Sequence, residues 1–275
     1  STIFYNVSAP TRKFKEDFLT SFCVEKFFDL SPVRRLIFEK KNSPASIVYY
    51  RLSKDNDYQK NIINHQSVKF NRFIKYFKML VVEKFDQKDL AQKYFLENDW
   101  MFKVALYGGI LDFKLLNALK KLDGVNITNH FKEFNYGAGI KSNKGSDYAE
   151  KLIGLPLLEN EQIKAYYTKI DENHILSAKD VWFESGRKPE LFFGNKILIK
   201  EQAKDETDIL ISYVEGNSVY KNGINGITSP KKESLMVLFS YLISRLYEYY
   251  IFMISGSWGT STRPQIRWKE EYLSF

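Results

Sequence analysis

Apolar spacing along the first half of the chain predicts short strands alternating with helices. Phe14, Phe18 and Phe22 recur at helical spacing and predict a helix over 11–22. The run 23–30 (CVEKFFDL) predicts a strand, and Ser31–Pro32 supply an N-cap and first-turn proline for the short helix VRRLIF. Residues 46–52 (SIVYYRL) predict a second strand from their β-branched and aromatic content. Two strands and two helices bury too little apolar surface to stand alone, so this segment requires a neighbour. Further on, 62–68 predicts a strand, 69–77 a short helix and 79–85 (MLVVEKF) another strand. Asp86 is then expected to cap a helix, with Asp89 in its first turn. Leu111, Leu115, Leu116, Leu119 and Leu122 mark an amphipathic helix.

From Tyr136 onward the texture changes, with turn signals at Gly137, Gly139, Gly145, Gly154, Gly186, Gly194, Asn222–Gly223 and Asn225–Gly226. Strands are expected at 196–200 (KILIK), 209–214 (ILISYV) and 218–221, and Ser229–Pro230 caps a long helix through 235–254. That last run is apolar enough to resemble a membrane span. Arg245 and Glu248 lie near its centre, where each costs about 2.5–3.5 kcal/mol in a bilayer, so it reads as a packed core helix and no membrane partner is expected. These elements predict an α+β fold of mixed sheets with helices. The expected division is a small N-terminal α/β remnant over 1–55, a mixed strand and helix linker over 56–135, and a domain over 136–275.

Composition narrows the classes. Of 275 residues, 44% are hydrophobic and 27% charged, which is the make-up of a globular protein and excludes a disordered chain. Forty-one Lys and Arg against 33 Asp and Glu leave +8, a surplus that favours a polyanionic partner if it is concentrated on one face. The single cysteine, Cys23, excludes an internal disulfide and a cysteine-ligated zinc site, and it fits a reducing cytoplasm. No secretory signal opens the chain, and Ser1 in place of an initiator Met is expected of a chain cut or processed from a longer one.

Enzymatic motifs are sparse. Tyr136-Gly-Ala-Gly139 has two glycines of a cofactor loop but lacks the third and a buried strand before it, so it reads as a turn. Asp29 with Glu39-Lys40-Lys41 has the acidic–acidic–basic spacing of a Mg-dependent nuclease, although Glu39 follows a helix where a strand end is needed. His65, His130 and His174 have no partner at i+3 or i+4, and neither a nucleophile elbow nor a P-loop occurs.

Three polar loops stand out instead. Residues 140–145 (IKSNKG), 221–226 (KNGING) with Lys231 and Lys232 beyond, and 260–267 (TSTRPQIR) combine phosphate-binding cations with the Arg, Asn and Gln side chains that read base edges. Each is also an ordinary polar turn taken singly.

Several stretches resemble a known family. Residues 192–200 (FFGNKILIK) resemble the conserved strand of the TaqI-like specificity domain of adenine-N6 DNA methyltransferases. Residues 242–250 (LISRLYEYY) resemble that family's L-N-S-K-L-x-x-Y-Y helix, with Ile243 where Asn is usual, and 270–275 (EEYLSF) its exit segment. Residues 14–19, VEKFFDLSPVRRLIF and SPASIVYY are similar to the final hairpin of the methyltransferase domain in type IIG restriction–modification enzymes. Residues 100–119 (WMFKVALYGGILDFKLLNAL) resemble the W-K-x-A-x-x-G-x-x-D-x-x-L-L-x-x-L linker of the same enzymes.

The resemblance implies a target-recognition module at 136–275 that grips double-stranded DNA opposite a catalytic domain. The family's Asn/Asp-Pro-Pro-Tyr/Phe tetrad is missing, since Asn42-Ser-Pro-Ala45 does not match it. The chain is therefore expected to be a C-terminal fragment with no catalytic residue and no cofactor of its own. S-adenosylmethionine is expected for the parent enzyme, and an upstream methyltransferase domain of the same chain as partner. On this reading DNA contact falls to Lys141, Lys144, Asn222, Asn225, Lys231, Lys232, Arg263, Gln265 and Arg267, with Arg187 and Lys188 as further phosphate ligands. Trp258 is read either as an aromatic near the duplex or as a buried hinge residue. The alternatives are a protein-interaction scaffold and an autonomous nuclease built on Asp29, Glu39 and Lys41.

Overall fold

In the computed structural model the described residues are 2–6, 8–38, 43–121, 134–141, 147–148, 150–177, 182–183, 188–202 and 209–260. The fold is α+β, and the chain divides into two compact units. One unit comprises Ser1–Asp123 and Tyr250–Ile266, the other Gly124–Tyr249 and Arg267–Phe275.

In the first unit, helix α1 (Ala9–Ser21) leads directly into strand β1 (Phe22–Asp29). A short helix α2 (Arg34–Ile37) connects it to β2 (Ser46–Leu52), and β3 (Ile62–Ser67), helix α3 (Arg72–Phe77) and β4 (Gln87–Ala91) follow. The strands form one sheet in the order β2-β1-β3-β4, with β1 and β3 parallel and the outer pairs antiparallel. The expected remnant thus finds its neighbour in β3. Helices α4 (Gln92–Glu97), α5 (Met101–Tyr107) and α6 (Ile110–Lys120) complete this part of the chain.

The core of this unit is aromatic. Phe102 lies 5.0 Å from Phe4, 5.2 Å from Phe27 and 4.8 Å from Phe95, between ring centroids. Buried polar groups are placed where backbone groups need partners. The Gln92 amide donates to the Leu19 and Phe22 carbonyls and accepts from Val24 N–H at 2.9 Å, which secures the junction of α1 and β1. The buried Lys103 ammonium donates to the carbonyls of Ser255 and Trp258 and lies 4.4 Å from the centre of the Phe252 ring. Trp258 is itself buried, 5.3 Å from Phe252, so of its two readings the structure takes the interior one.

Four expectations are corrected. Residues 79–83 form no strand, and Asp86 caps no helix: it ends a 3-10 turn (Lys84–Asp86), accepts from the Glu83 N–H and pairs with Lys69 at 3.0 Å. The strand is instead polar β4, where only Leu90 is buried. Ser31 does not cap α2; its N–H donates to the Asp29 carboxylate at 2.9 Å. On α6 the buried face is Phe113 and Leu116, while Leu111 and Leu115 are exposed.

The second unit contains β5 (Asn135–Ala138), β6 (Asp147–Tyr148), β7 (Leu157–Leu158), β8 (Tyr166–Tyr167), β9 (Trp182–Phe183), β10 (Lys196–Lys200), β11 (Ile211–Val214), β12 (Val219–Tyr220) and β13 (Ile224–Thr228). Five of them form a sheet in the order β5-β13-β10-β11-β8, and β12–β7 and β6–β9 are separate pairs. Every residue of β13 is buried, and Gly226 is required there because a Cβ would overlap the Tyr220 ring. The long terminal helix is two helices, α7 (Lys232–Leu242) and α8 (Arg245–Ile254), bent by 64°. Ser244 resets the chain between them: its Oγ accepts from Tyr247 N–H at 3.2 Å, as an N-cap does. No single helix among the described residues is long and apolar enough to cross a membrane.

Gly256 tests the packing of the first unit, because a Cβ there would overlap the Tyr5 carbonyl oxygen. Gly256→Ala is expected to lower stability in urea unfolding by about 1–3 kcal/mol, the usual cost of overpacking. An unchanged midpoint would show that the contact does not form.

Candidate nucleic-acid interface

The first residues of one polar loop, Ile140 and Lys141, meet a second polar loop in the second unit. At the end of β5 the chain turns so that Gly139 N–H donates to Ile224 O and Ile140 N–H to Tyr220 O, both at 2.9 Å. Asn222 N–H then donates to Ile140 O at 2.8 Å. Gly139 tolerates no side chain here, since a Cβ would overlap the carbonyl groups of Tyr220 and Lys221. Lys141 and Asn222 therefore share one end of β13.

The second loop is a tight turn. Ile224 N–H closes back on Lys221 O at 3.2 Å, and Gly223 has φ +94°, the left-handed conformation this turn type needs at its third position. Asn222 occupies the corner. Its backbone is held on both sides, because its carbonyl also accepts from the Asn160 amide at 3.4 Å, while its side chain is exposed. A fixed backbone carrying an exposed amide is the arrangement that base-edge reading requires. Next to it Lys221 pairs with Glu159 at 2.6 Å, and His174 lies 3.8 Å from the same carboxylate oxygen. Glu159 therefore offsets one of the loop cations, and Lys141, half-buried, supplies another.

The remaining predicted residues fall elsewhere. Asn225 does not face solvent: it lies inside β13 at 2% exposure, and its amide donates to the Glu201 carboxylate at 3.2 Å. β13 is buried along its whole length, so a residue inside it does not reach solvent. Lys231 and Lys232 are exposed at the opposite end of β13, where α7 begins, and Lys232 pairs with Glu215 at 3.5 Å. Five strand residues separate the two groups by about 13 Å. Lys188 is exposed just before the turn that leads into β10. Lys144, Arg187, Arg263, Gln265 and Arg267 lie outside the described residues.

Lys196 is the residue that sequence reasoning missed. Its ammonium is 0% exposed and donates to Gly194 O at 2.8 Å, Gly216 O at 2.6 Å and Ser218 Oγ at 3.2 Å, so all three protons are used. The turns it joins also lock each other. Asn217 accepts from Gly194 N–H at 2.7 Å and Asn195 accepts from Gly216 N–H at 3.0 Å. Both glycines have positive φ, +71° and +90°. A signal was present in the sequence, where Gly-Asn occurs at 194–195 and again at 216–217.

Of the nuclease constellation only Asp29 is among the described residues. Asp29 is buried, accepts hydrogen bonds from Tyr5 OH and Ser31 N–H, and has its pKa raised by burial. His65, 3.8 Å away, is neutral because burial lowers its pKa to about 3. Glu39 and Lys41 lie outside the described residues, among which no group of three His, Cys, Asp or Glu could hold a metal ion. The Asp29 carboxylate serves the fold.

No protein-family model matches the chain, and no curated protein does. Among solved structures, a chain of a type I R-M system is 14% identical over 50% of this chain and 34% of its own, with a TM-score of 0.27. The HsdS subunit from Thermoanaerobacter tengcongensis is 12% identical over 60% of this chain and 37% of its own, at 0.26. The type IIG restriction endonuclease BpuSI is 11% identical over 98% of this chain and 38% of its own, at 0.35. The chain therefore spans little more than a third of each of these proteins, and TM-scores this low do not define a shared fold.

Burial lowers the Lys196 pKa from 10.5 to about 7. The unfolded chain then binds more protons than the folded one between those values, so stability rises with pH from about 7 toward 10.5. Lys196→Met should remove that rise and, by leaving carbonyls without donors, cost about 1–3 kcal/mol at pH 9. Urea unfolding of both proteins at pH 7 and pH 9 checks this; a variant as stable as the parent protein at pH 9 would contradict the clamp.

Proposed function

We propose that the chain is a DNA target-recognition module of a restriction–modification system, and more narrowly of an adenine-N6 methyltransferase whose catalytic part lies upstream. The observation that carries this reading is the meeting of Lys141 with the Asn222 turn on a rigid sheet end. The sequence resemblance supports the same reading. Cations neutralise phosphates and release counterions, which gives affinity without sequence preference. An amide at a fixed turn corner adds discrimination, each good bidentate contact contributing about 1–3 kcal/mol. Lys231 and Lys232, about 13 Å along the sheet, are suited to phosphates rather than to the same base pair.

In this proposal methyl transfer and S-adenosylmethionine belong to the upstream domain, and no residue of this chain is assigned to them. The β2 edge supports the existence of such a neighbour. It carries exposed Ile47, Tyr49, Tyr50 and Leu52 on a sheet margin that pairs with no further strand among the described residues, a surface that soluble chains normally cover.

Fluorescence anisotropy with a labelled random-sequence duplex at two salt concentrations tests the reading. Affinity should fall steeply with salt, and Lys141→Ala should reduce the log–log slope by about one. Asn222→Ala should weaken preference among sequences by about 1–3 kcal/mol while stability stays within about 0.5 kcal/mol. No duplex binding at low salt would overturn the proposal and leave the protein-scaffold reading.

A further inference from the structure

A second surface, in the first unit, has a composition that the reading above does not use. The connection from β3 to β4, residues 69–85 (KFNRFIKYFKMLVVEKF), holds five Lys or Arg, one Glu and five aromatic residues. A single short helix, α3, organises it. Asn71 caps α3 by accepting from Ile74 N–H at 3.1 Å, and Ile74 is buried with Leu30, Val33 and Val68. With Ile74 anchored inward, helical geometry turns Arg72 and Tyr76 outward together, and Phe73 and Phe77 flank them. Tyr76 is 71% and Phe77 65% exposed, and Phe70 and Phe85 are exposed to a similar degree.

Cations and rings are paired across this surface. The Lys69 ammonium lies 5.0 Å from the centre of the Phe85 ring, the Arg72 guanidinium 5.5 Å from that of Phe73, and Phe73 6.2 Å from Phe77. Three partners fit exposed aromatics in principle. A protein interface core is depleted in Lys, whereas here five Lys or Arg are interleaved with the rings and two of them lie over the rings of Phe85 and Phe73. A lipid-surface helix segregates its charges from its apolar face, whereas Arg72 and Tyr76 share one face. Alternating cations and rings match a polyanion whose planar faces are open, because phosphates meet the cations while bases stack on the rings. Duplex DNA hides those faces inside its own stack.

We infer that residues 69–85 form a binding surface for single-stranded nucleic acid, with Tyr76, Phe77 and Phe70 as stacking platforms and Arg72 and Lys78 as phosphate contacts. It is separate from the Lys141–Asn222 loop pair and does not depend on it.

The test uses the whole chain with two labelled probes, a fifteen-nucleotide thymidine strand and an abasic strand of equal phosphate number. The thymidine strand should bind about tenfold or more tightly than the abasic one, and Tyr76→Ala with Phe77→Ala should abolish that difference. Tyr76→Phe, which keeps the ring, should retain it, and this guards against a variant that merely unfolds. Lys141→Ala with Asn222→Ala should leave single-strand binding unchanged, so failure of the duplex reading and failure of this one are distinguishable. Equal affinity for the two strands, or thymidine binding unaffected by the alanine pair, would overturn the inference. So would loss, in that pair, of binding to phosphatidylserine vesicles with no binding of either strand.

Discussion

The second unit depends on one buried ammonium. Isolated in an apolar interior, a lysine charge is strongly unfavourable, and the protein tolerates it only where every proton has an acceptor. Lys196 meets that condition with two carbonyls and a hydroxyl drawn from two separate turns, and paired Asn–Gly contacts hold the same turns from outside. The start of β10 is thereby fixed against the end of β11, and β13 aligns on β10 through Lys196 and Thr228. Placement of the polar loops at both ends of β13 follows from that register. The first unit repeats the device with Lys103, whose ammonium holds the Ser255–Trp258 segment by its carbonyls. Lysine in this protein is thus a structural residue as well as a surface charge, and net charge alone overstates the cationic surface.

Local patterns read well wherever burial was one-sided and the element was short. Strand β1, the short helix after Pro32, β2, β3 and β10 lie where β-branched, aromatic and capping residues predict them. The failures have physical causes. Residues 79–85 carry strand-forming side chains but pair with no strand among the described residues, whereas β4 is polar because it is an edge strand with one buried leucine. The pattern of apolar residues in 235–254 is continuous, and it conceals a break set by one serine hydroxyl at Ser244. The parallel pairing of β1 with β3 joins residues far apart in sequence, which no local pattern encodes.

The candidate interface was legible in part. Polar loops with cations and amides are visible in sequence, and their meeting through Ile140, Tyr220 and Asn222 is a tertiary fact that no local pattern encodes. Asn222 and Asn225 look equivalent in sequence, each before a glycine, yet the turn corner exposes the first and the strand buries the second. The role of Lys196 is not legible in the sequence, because the carbonyls that accept its protons belong to glycines whose positions only the folded turns define. The interior place of Trp258 beside Phe252, with its carbonyl on Lys103, is likewise a tertiary fact.

The most direct test of duplex recognition by the loop pair is photocrosslinking of the chain to duplexes carrying 4-thiothymidine, with the attached peptides mapped by mass spectrometry. The account predicts crosslinks within 139–145 and 220–226, lost when salt dissociates the complex. Crosslinks confined to 69–85 or to the β2 edge, with none in those two loops, would contradict it.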